Sequence, residues 1–305
     1  MITYNHERYL AQALESVLVQ RVNFDYEIVV GEDCSTDRTR EILMDFHRRN
    51  PDKIVPLLRE RNLGAMRNFM ETLAACRGQY VALLEGDDYW ISEDKLQRQV
   101  DFLDAHPDYG ICCGRAQVLN DTGRYLTGTF PQRPAGTYTI EDLLKENIIM
   151  TCTSVCRREL IGELPSWLND MKLGDWPLHA IVARKGRIQL MDGTTAMYRV
   201  HAGGMWSSMP SIGQYRETVR MMRALDRHLD FQHTKLIRGT IAGFYCGMAM
   251  AAQQERRRVA TGKYLAISLW NGSWRRRDWW RMLAFFAVYA IMGSWYKVFS
   301  RSKQK

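Results

Sequence analysis

The sequence predicts an α/β fold in which a mostly parallel, mixed sheet is flanked by helices. Short apolar runs at 26–31, 54–58 and 80–84 alternate with helical segments in the first third of the chain. Strands that alternate with helices favour a parallel sheet, because each parallel connection has to cross one face of the sheet. A chain of 305 residues that is 46% apolar and 25% charged can also bury the core that such a sheet requires.

Each of the early strands is predicted to lead into a helix. The predicted pairs are a strand end at 2–4 with a helix at 8–20, a strand at 26–31 with a helix at 38–49, a strand at 54–58 with a helix at 65–76, and a strand at 80–84 with a helix at 95–105. Thr36 or Asp37 can cap the second helix, since short polar side chains accept hydrogen bonds from the first N–H groups of a helix.

The alternation of strands and helices changes after about residue 110. The following residues predict a strand at 111–119, a polar loop with glycine and proline at 121–134, a short helix at 140–146, a strand at 151–156, a helix at 177–185 and a hairpin formed by 188–190 and 195–200. The chain is predicted to be helical after residue 208. We therefore expect two halves of one domain, 1–110 and 111–208, and a helical C-terminal region, 209–305.

The run Glu85-Gly86-Asp87-Asp88-Tyr89-Trp90 places three carboxylates directly after the apolar strand at 80–84. Open parallel sheets bind ligands outside the carboxyl ends of their strands. Magnesium is commonly held there by one or two carboxylates together with phosphate oxygens of the substrate. The run therefore indicates a site for a divalent cation and its phosphates, although a solvated loop or a helix start is also consistent with it.

Six short segments occur in an order that resembles the family 2 glycosyltransferases of the Rossmann-like GT-A fold. The resemblance covers about residues 1–208, and its segments are Thr3-Tyr4-Asn5-His6-Glu7, Glu32-Asp33-Cys34-Ser35-Thr36-Asp37, Asn62-Leu63-Gly64, Glu85-Gly86-Asp87-Asp88-Tyr89-Trp90, Gly174-Asp175-Trp176 and Tyr198-Arg199-Val200-His201. It implies an inverting transfer of a sugar from a nucleoside-diphosphate donor, with a divalent metal, Mn²⁺ or Mg²⁺, as cofactor.

The resemblance also implies a role for individual residues. Asp175 would be the general base, and Asp88 and His201 would contact the metal. The donor would be bound by Thr3, Tyr4, Asn5, Glu7, Asp33, Asn62, Gly64 and Asp87. Among these, Tyr4 would lie against the nucleotide base, Asp33 would accept a hydrogen bond from the base imide, and Asp87 would contact ribose or metal.

The residues alone leave a structural alternative open for four of these roles. The alternatives are Tyr4 as a core aromatic at a strand end, Asp33 as a cap of the following helix, Asp175 as a helix N-cap before Trp176-Pro177, and His201 as an ordinary loop histidine. The catalytic roles agree with general chemistry, because a carboxylate can take the proton of an attacking hydroxyl and a bound cation can neutralise a departing diphosphate.

Relatives in this family begin with a full apolar strand, of which only Met1-Ile2 precedes the Thr-Tyr-Asn segment here. Such a strand is expected at the centre of the sheet. We therefore expect unpaired backbone and an apolar slot in its place. Our hypothesis from the sequence is that the true start lies upstream, or that this is a truncated form.

The net charge of +8 is concentrated toward the C-terminus, in 256–258, 275–277 and 297–305. The apolar run 282–296 is shorter than the ~20 residues of a spanning helix, and tryptophans and arginines flank it. This pattern is typical of a helix at a membrane interface, and a terminal helix packed on the protein's own core is the alternative. Nucleic-acid binding is not expected, since no base-reading module accompanies the arginines.

These observations predict a hexosyltransferase-type glycosyltransferase that uses a UDP-sugar and a lipid-linked or surface-glycan acceptor in polysaccharide biosynthesis. The absence of a signal-peptide pattern at 1–5 and of paired cysteine motifs favours a cytoplasmic protein, peripheral on the inner face of the membrane. A catalytically inactive nucleotide-sugar-binding or membrane scaffold protein is one alternative. A sugar-nucleotide nucleotidyltransferase is another, and the acidic, aromatic residues 4–7 argue against it because they lack a glycine-rich triphosphate loop.

Overall fold

The computed structural model describes residues 1–120 and 122–272, and it has the predicted α/β architecture with a mixed sheet flanked by helices. The strands are β1 Ile2–Thr3, β2 Ile28–Glu32, β3 Ile54–Leu58, β4 Tyr80–Ala82, β5 Tyr89–Trp90, β6 Tyr109–Asn120, β7 Tyr125–Phe130, β8 Gly136–Tyr138, β9 Val155–Arg157 and β10 Arg187–Val200. The helices are α1 Leu10–Leu18, α2 Thr39–Arg49, α3 Ala65–Ala75, α4 Lys95–Ala105, α5 Ile140–Lys145, α6 Arg158–Ile161, α7 Asp175–Ala183, α8 Ser211–His228, α9 Thr234–Gln254 and α10 Arg258–Asn271.

The first three strands form a parallel sheet in the order β1-β2-β3. All five residues of β2 are buried, which explains the apolar β-branched run Ile28-Val29-Val30 at its start. Helix α1 covers this region with Leu10, Leu14 and Val17, whose spacing places them on one face of the helix. The chain thus leaves the carboxyl ends of β1, β2 and β3 at one edge of the sheet.

The remaining strands form a second sheet with the order β4-β9-β6-β10-β5, in which β7 pairs with β6 and β8 pairs with β10. Strands β6 and β10 are parallel, and the other neighbours in this sheet are antiparallel. A parallel bridge joins Ile2 of β1 to Glu85, just after β4. The turn with the three carboxylates therefore lies beside the loop that follows β1.

Three sequence-based predictions after residue 110 are wrong. The predicted strand at 151–156 is a 3₁₀ turn, Thr151–Thr153, followed by strand β9 from Val155. The predicted loop at 121–134 contains strand β7, whose aromatic and threonine residues pair with the edge of β6 despite the neighbouring glycine and proline residues. The predicted hairpin at 188–200 is one continuous strand, β10. Gly193, at φ +95°, lies at a register irregularity within β10 and not in a hairpin turn.

A slot lined by apolar and polar side chains lies between β2 and β4. It is a cavity of about 360 Å³ whose lining includes Val29, Val81, Leu84 and Val155. The terminal ammonium group of Met1 donates a hydrogen bond of 2.7 Å to the carbonyl oxygen of Val29 at this slot. The slot thus separates the first residues of β2 from those of β4. The bridge between Ile2 and Glu85 joins the two sheets nearer to the carboxyl ends of these strands.

The described residues form two compact units, 1–240 and 241–272. The first contains both predicted halves of the glycosyltransferase domain together with α8. In the second, the hydroxyl of Ser268 in α10 donates to the carbonyl oxygen of Ala242 in α9. Within the described ranges, none of the helices has the length and apolar character needed to cross a membrane. The run 282–296, for which we predict membrane contact, lies outside the described residues.

Candidate active site

The loops after β1 and β2 are held together by their own polar side chains. The Asn5 side-chain oxygen accepts a hydrogen bond of 2.8 Å from the backbone N–H of Thr36. The Glu7 carboxylate accepts one of 3.1 Å from the N–H of Arg38. Tyr4, in the same loop, is 41% exposed. It is therefore not the core aromatic that the sequence left open, and its ring is available to a ligand.

Asp33 joins the loop after β2 to the loop after β3. Its carboxylate is buried and accepts the N–H groups of Leu63 at 2.7 Å and of Gly64 at 3.0 Å. Asn62 also accepts the N–H of Gly64, at 2.9 Å. Asp33 thus does not cap α2. The N–H of Thr39, the first residue of α2, is bound instead by the carboxylate of Asp37 at 2.9 Å.

His6, Asp87 and His201 bring three possible metal-ligand atoms within 4.8 Å of one another. Nε2 of His201 lies 2.9 Å from Oδ2 of Asp87, and Nε2 of His6 lies 3.8 Å from the same oxygen. The three residues come from the β1–α1 loop, the acidic turn and the end of β10. Their side chains converge because each of these segments leaves the sheet at the same edge.

Electrostatics keep this cluster in a form suited to binding a cation. Burial lowers the pKa of His6, against the opposing influence of Asp87, so its ring is neutral at neutral pH. Burial alone would raise the pKa of Asp87, but the hydrogen bond from His201, together with the electrostatic influence of His6 and His201, holds that pKa below its ordinary value. A neutral imidazole and an ionised carboxylate are the metal-binding forms of these groups.

Asp88 does not join the cluster. It is 1% exposed, and its Oδ1 accepts the backbone N–H of Arg199 in β10 at 2.8 Å, while its Oδ2 has no hydrogen-bond partner among the described residues. Burial, followed by the charges of Asp87 and Glu85, raises the pKa of Asp88 well above its ordinary value. The metal contact at Asp88 stays a prediction that this geometry does not favour.

Thr3 also lies beneath the predicted donor surface. It is 2% exposed. A methyl group added at Gly86 would lie only 2.6 Å from the Thr3 hydroxyl oxygen, so the acidic turn packs directly on this residue. Thr3 therefore supports the turn from below, whereas Tyr4 and Asn5 are exposed at the surface.

Asp175 is the first residue of α7 and is half-buried, and Gly174 occupies the N-cap position that the sequence left open for Asp175. Oδ2 of Asp175 accepts a hydrogen bond of 2.7 Å from the hydroxyl of Thr151. One carboxylate oxygen of this residue is therefore held by the protein.

Asp87 and Asp175 both act electrostatically on Glu85 and Tyr198, and we call these acidic residues together with Asp88 the acidic pocket. Burial, and then the charges of Asp87 and Asp175, raise the pKa of Glu85 to about 8. Burial and the charges of four carboxylates, the three in the acidic turn and Asp175, raise the pKa of Tyr198. Both carboxylates are thus close enough to act on the same two groups.

The sequence reasoning missed two residues of this site. His6 lies inside the Thr3–Glu7 segment that carried the family resemblance, so its metal-ligand chemistry and its place after a strand were the available signals. Thr151 had no such signal, because its contact with Asp175 joins positions 24 residues apart. Predicting that contact would have required the fold.

The family sequence profile described as "Glycosyl transferase family 2" matches residues 1–164. The chain belongs to this family. An uncharacterized protein of Mycobacterium tuberculosis is 36% identical to this glycosyltransferase over 246 residues, which are 79% of this chain and 70% of that protein. A glycosyltransferase of Bacillus subtilis, provisionally named for teichuronic acid biosynthesis, is 31% identical over 190 residues, 56% of this chain and 70% of the relative.

Two solved structures share the GT-A fold of this glycosyltransferase. Residues 1–349 of TarS from S. aureus, in complex with UDP-GlcNAc, match with a TM-score of 0.59 and 18% identity over 90% of this chain and 91% of that chain. A mannosyltransferase from Pyrobaculum calidifontis, in complex with GDP-Man and Mn²⁺, matches with a TM-score of 0.55 and 17% identity over 97% and 86% of the two chains. These comparisons confirm the predicted family and fold.

Proposed function

We propose that this glycosyltransferase moves a sugar from a UDP-sugar to a hydroxyl of a glycan or lipid-linked acceptor, with inversion at the transferred carbon. The observation that carries the proposal is the pairing of two groups of residues in one acidic pocket. The His6–Asp87–His201 cluster lies beside the exposed loops after β1 and β2, and Asp175 acts electrostatically on the same two groups as Asp87, Glu85 and Tyr198.

The donor side of the proposal rests on the loops at the carboxyl edge of the sheet. Tyr4 offers an exposed aromatic face on which a nucleotide base can stack. Asp33 fixes the neighbouring loop through two backbone N–H groups, and its remaining lone pairs suit the imide N–H of uracil. The TarS structure contains UDP-GlcNAc and the mannosyltransferase structure contains GDP-Man. A measurement of nucleotide binding is therefore needed to distinguish UDP from GDP as the nucleotide of the donor.

The cluster of His6, Asp87 and His201 fits a divalent cation. One carboxylate and two imidazoles are a donor set that suits Mn²⁺ better than Mg²⁺, which prefers oxygen ligands. In the hydrogen bond between His201 and the ionised Asp87, the proton lies on Nε2 of the histidine, and a cation would take its place. A cation bound there would neutralise the charge that develops on the departing nucleoside diphosphate.

Asp175 is the proposed general base. The acceptor hydroxyl has to lose its proton as it attacks, and a carboxylate within hydrogen-bond reach can take that proton. Asp175 is half-buried at the start of a helix, which favours a negative charge at that point. A single displacement with this base turns an α-linked donor into a β-glycoside.

For the acceptor, we propose a growing surface polysaccharide or its lipid-linked precursor. The name of the Bacillus subtilis relative refers to synthesis of such a polymer. The apolar run at 282–296, flanked by tryptophans and arginines, is the sequence feature that supports contact with a membrane surface, where a lipid-linked acceptor would lie.

Calorimetric titration of UDP and GDP, with and without Mn²⁺, tests the donor site. We expect Mn²⁺-dependent binding of UDP to the wild type, a loss of at least tenfold in affinity in Asp87→Asn, and a much smaller change in the matched variant Asp88→Asn. A larger loss of affinity in Asp88→Asn than in Asp87→Asn would instead support Asp88 as the metal ligand, as the sequence predicted.

Turnover tests the general base separately from binding. Asp175→Asn is expected to bind UDP and Mn²⁺ like the wild type and to lose roughly 10²–10⁴-fold in kcat, the usual contribution of general base catalysis. An unchanged kcat in this variant would exclude Asp175 as the base. Nucleotide binding without turnover of any UDP- or GDP-sugar by the wild type would favour the inactive binding protein.

A further inference from the structure

A short 3₁₀ turn, Thr151–Thr153, contacts both Asp175 and the end of the acidic turn, Glu85–Trp90. At its first residue, the hydroxyl of Thr151 donates 2.7 Å to Oδ2 of Asp175 in α7. At its second, the carbonyl oxygen of Cys152 accepts a hydrogen bond of 2.7 Å from the indole N–H of Trp90, two residues after Asp88. Consecutive residues of one turn therefore hold the proposed base and the end of the acidic turn.

This turn is rigid because its own hydroxyl groups close it. The hydroxyl of Thr153 donates 2.8 Å to the carbonyl oxygen of Met150, and that of Ser154 donates 3.0 Å to the carbonyl oxygen of Thr151. Thr151 is 9% exposed, and Cys152, Thr153 and Ser154 are fully buried. Neither water nor a rotamer change can readily substitute for these bonds.

The turn is also bonded to α7 a second time, four residues after Asp175. Nε2 of His179 lies 3.0 Å from the hydroxyl oxygen of Ser154. Because the Ser154 proton is already donated to Thr151, this oxygen can only accept, so the ring proton of His179 lies on Nε2. Residues four apart share one face of a helix, and the turn therefore holds α7 at two points along that face.

We infer that Thr151 is a positioning residue for Asp175, an inference that rests on the proposed function. Its hydrogen bond occupies Oδ2 and fixes the rotation of the carboxylate, since no other donor from the described residues is bonded to Asp175. Oδ1 is then left to take the proton of the acceptor hydroxyl. The hydrogen bond between Trp90 and Cys152 ties the turn that holds Asp175 to the segment that carries Asp87.

Three variants test the positioning role. Thr151→Val keeps the shape of the side chain and removes the donor, whereas Thr151→Ser keeps the donor. Thr153→Val is the matched control, because it removes a buried hydroxyl from the same turn without touching the pocket. Each is assayed as UDP or GDP released from UDP-GlcNAc and GDP-mannose in the presence of Mn²⁺.

We expect Thr151→Val to lose about 10–100-fold in kcat, the effect of a misplaced catalytic group, with the KM for the donor unchanged. Thr151→Ser should recover to within about threefold of the wild type. Thr153→Val should lower the thermal stability and change kcat far less than Thr151→Val, because it leaves the hydrogen bond between Thr151 and Asp175 in place. In the background of Asp175→Asn, Thr151→Val should have no further effect, because it acts through that carboxylate.

Wild-type kcat in Thr151→Val would overturn the inference while leaving Asp175 as the base. An unchanged kcat in Asp175→Asn would instead overturn the proposed function. Crystal structures provide a readout that does not depend on turnover. The Asp175 carboxylate should turn away from its present orientation in Thr151→Val and keep it in Thr151→Ser. An identical orientation in both variants would also overturn the inference.

Discussion

Acidification is expected to destabilise the protein through His179. This residue is fully buried, and burial lowers its pKa from 6.5 to about 4, although Asp175 acts in the opposite direction. A histidine in the unfolded chain takes up a proton near pH 6.5, and the buried ring does so only near pH 4. Its contribution to stability is therefore complete above pH 6.5 and is lost as the pH falls toward 4.

The size of this effect follows from the difference in pKa. Each pKa unit corresponds to about 1.4 kcal/mol, so the full shift from 6.5 to about 4 amounts to about 3 kcal/mol. As the pH falls from 7 to 5, the unfolded histidine goes from mostly neutral to almost fully protonated, whereas the folded one stays mostly neutral. About 2 kcal/mol of the free energy of unfolding should then be lost over that interval.

Urea unfolding at pH 7 and pH 5 measures this loss. Other groups also titrate, so the relevant quantity is the loss in the wild type minus the loss in His179→Gln, which we expect to be about 2 kcal/mol. His106→Gln removes an exposed histidine and is the control, for which the difference should be close to zero. Equal losses in the wild type and His179→Gln would refute the reasoning.

Two further predictions concern stability. Glu32 is fully buried and pairs with the partly exposed Arg40 at 2.5 Å, so Glu32→Gln should cost about 2 kcal/mol in urea unfolding, the usual contribution of a hydrogen bond to a charged group. The exposed Glu41→Gln, which breaks only a surface ion pair, should cost less than about 0.5 kcal/mol, and equal costs would contradict the argument. Four apolar β-branched residues placed ahead of Met1 should fill the slot between β2 and β4 and raise the free energy of unfolding by roughly 1–3 kcal/mol over an equally long glycine-serine extension. Equal stability of the two extended chains would show that the slot does not accept a strand.

The sequence was sufficient for the parts of the fold in which local patterns and tertiary packing agree. Strand β3 and helix α4 have the predicted bounds, since each is a compact apolar or amphipathic run with clear turns on both sides. Strand β7 was missed because its neighbouring glycine and proline residues predict a loop. Its pairing with β6 is a tertiary contact that single-sequence propensity does not contain.

The site was predictable by segment and less so by side chain. The acidic turn was located correctly, but sequence alone does not say which way adjacent carboxylates point. In the structure, Asp87 faces the two histidines and Asp88 faces the backbone of β10. The choice between them depends on the position of Arg199, more than one hundred residues away, and therefore on the assembled sheet.

The irregularity near Gly193 restricts how this part of the protein can change during evolution. Residues on a strand alternate between its two faces, so inserting or deleting one residue reverses every later side chain. After the irregularity, β10 presents the backbone of Arg199 to Asp88 and leads into His201, which binds Asp87. A one-residue insertion between 190 and 194 would turn both contacts away from the pocket at once. Insertions or deletions near residue 193 should therefore be tolerated when they comprise two residues, or when a second length change before residue 199 compensates for them.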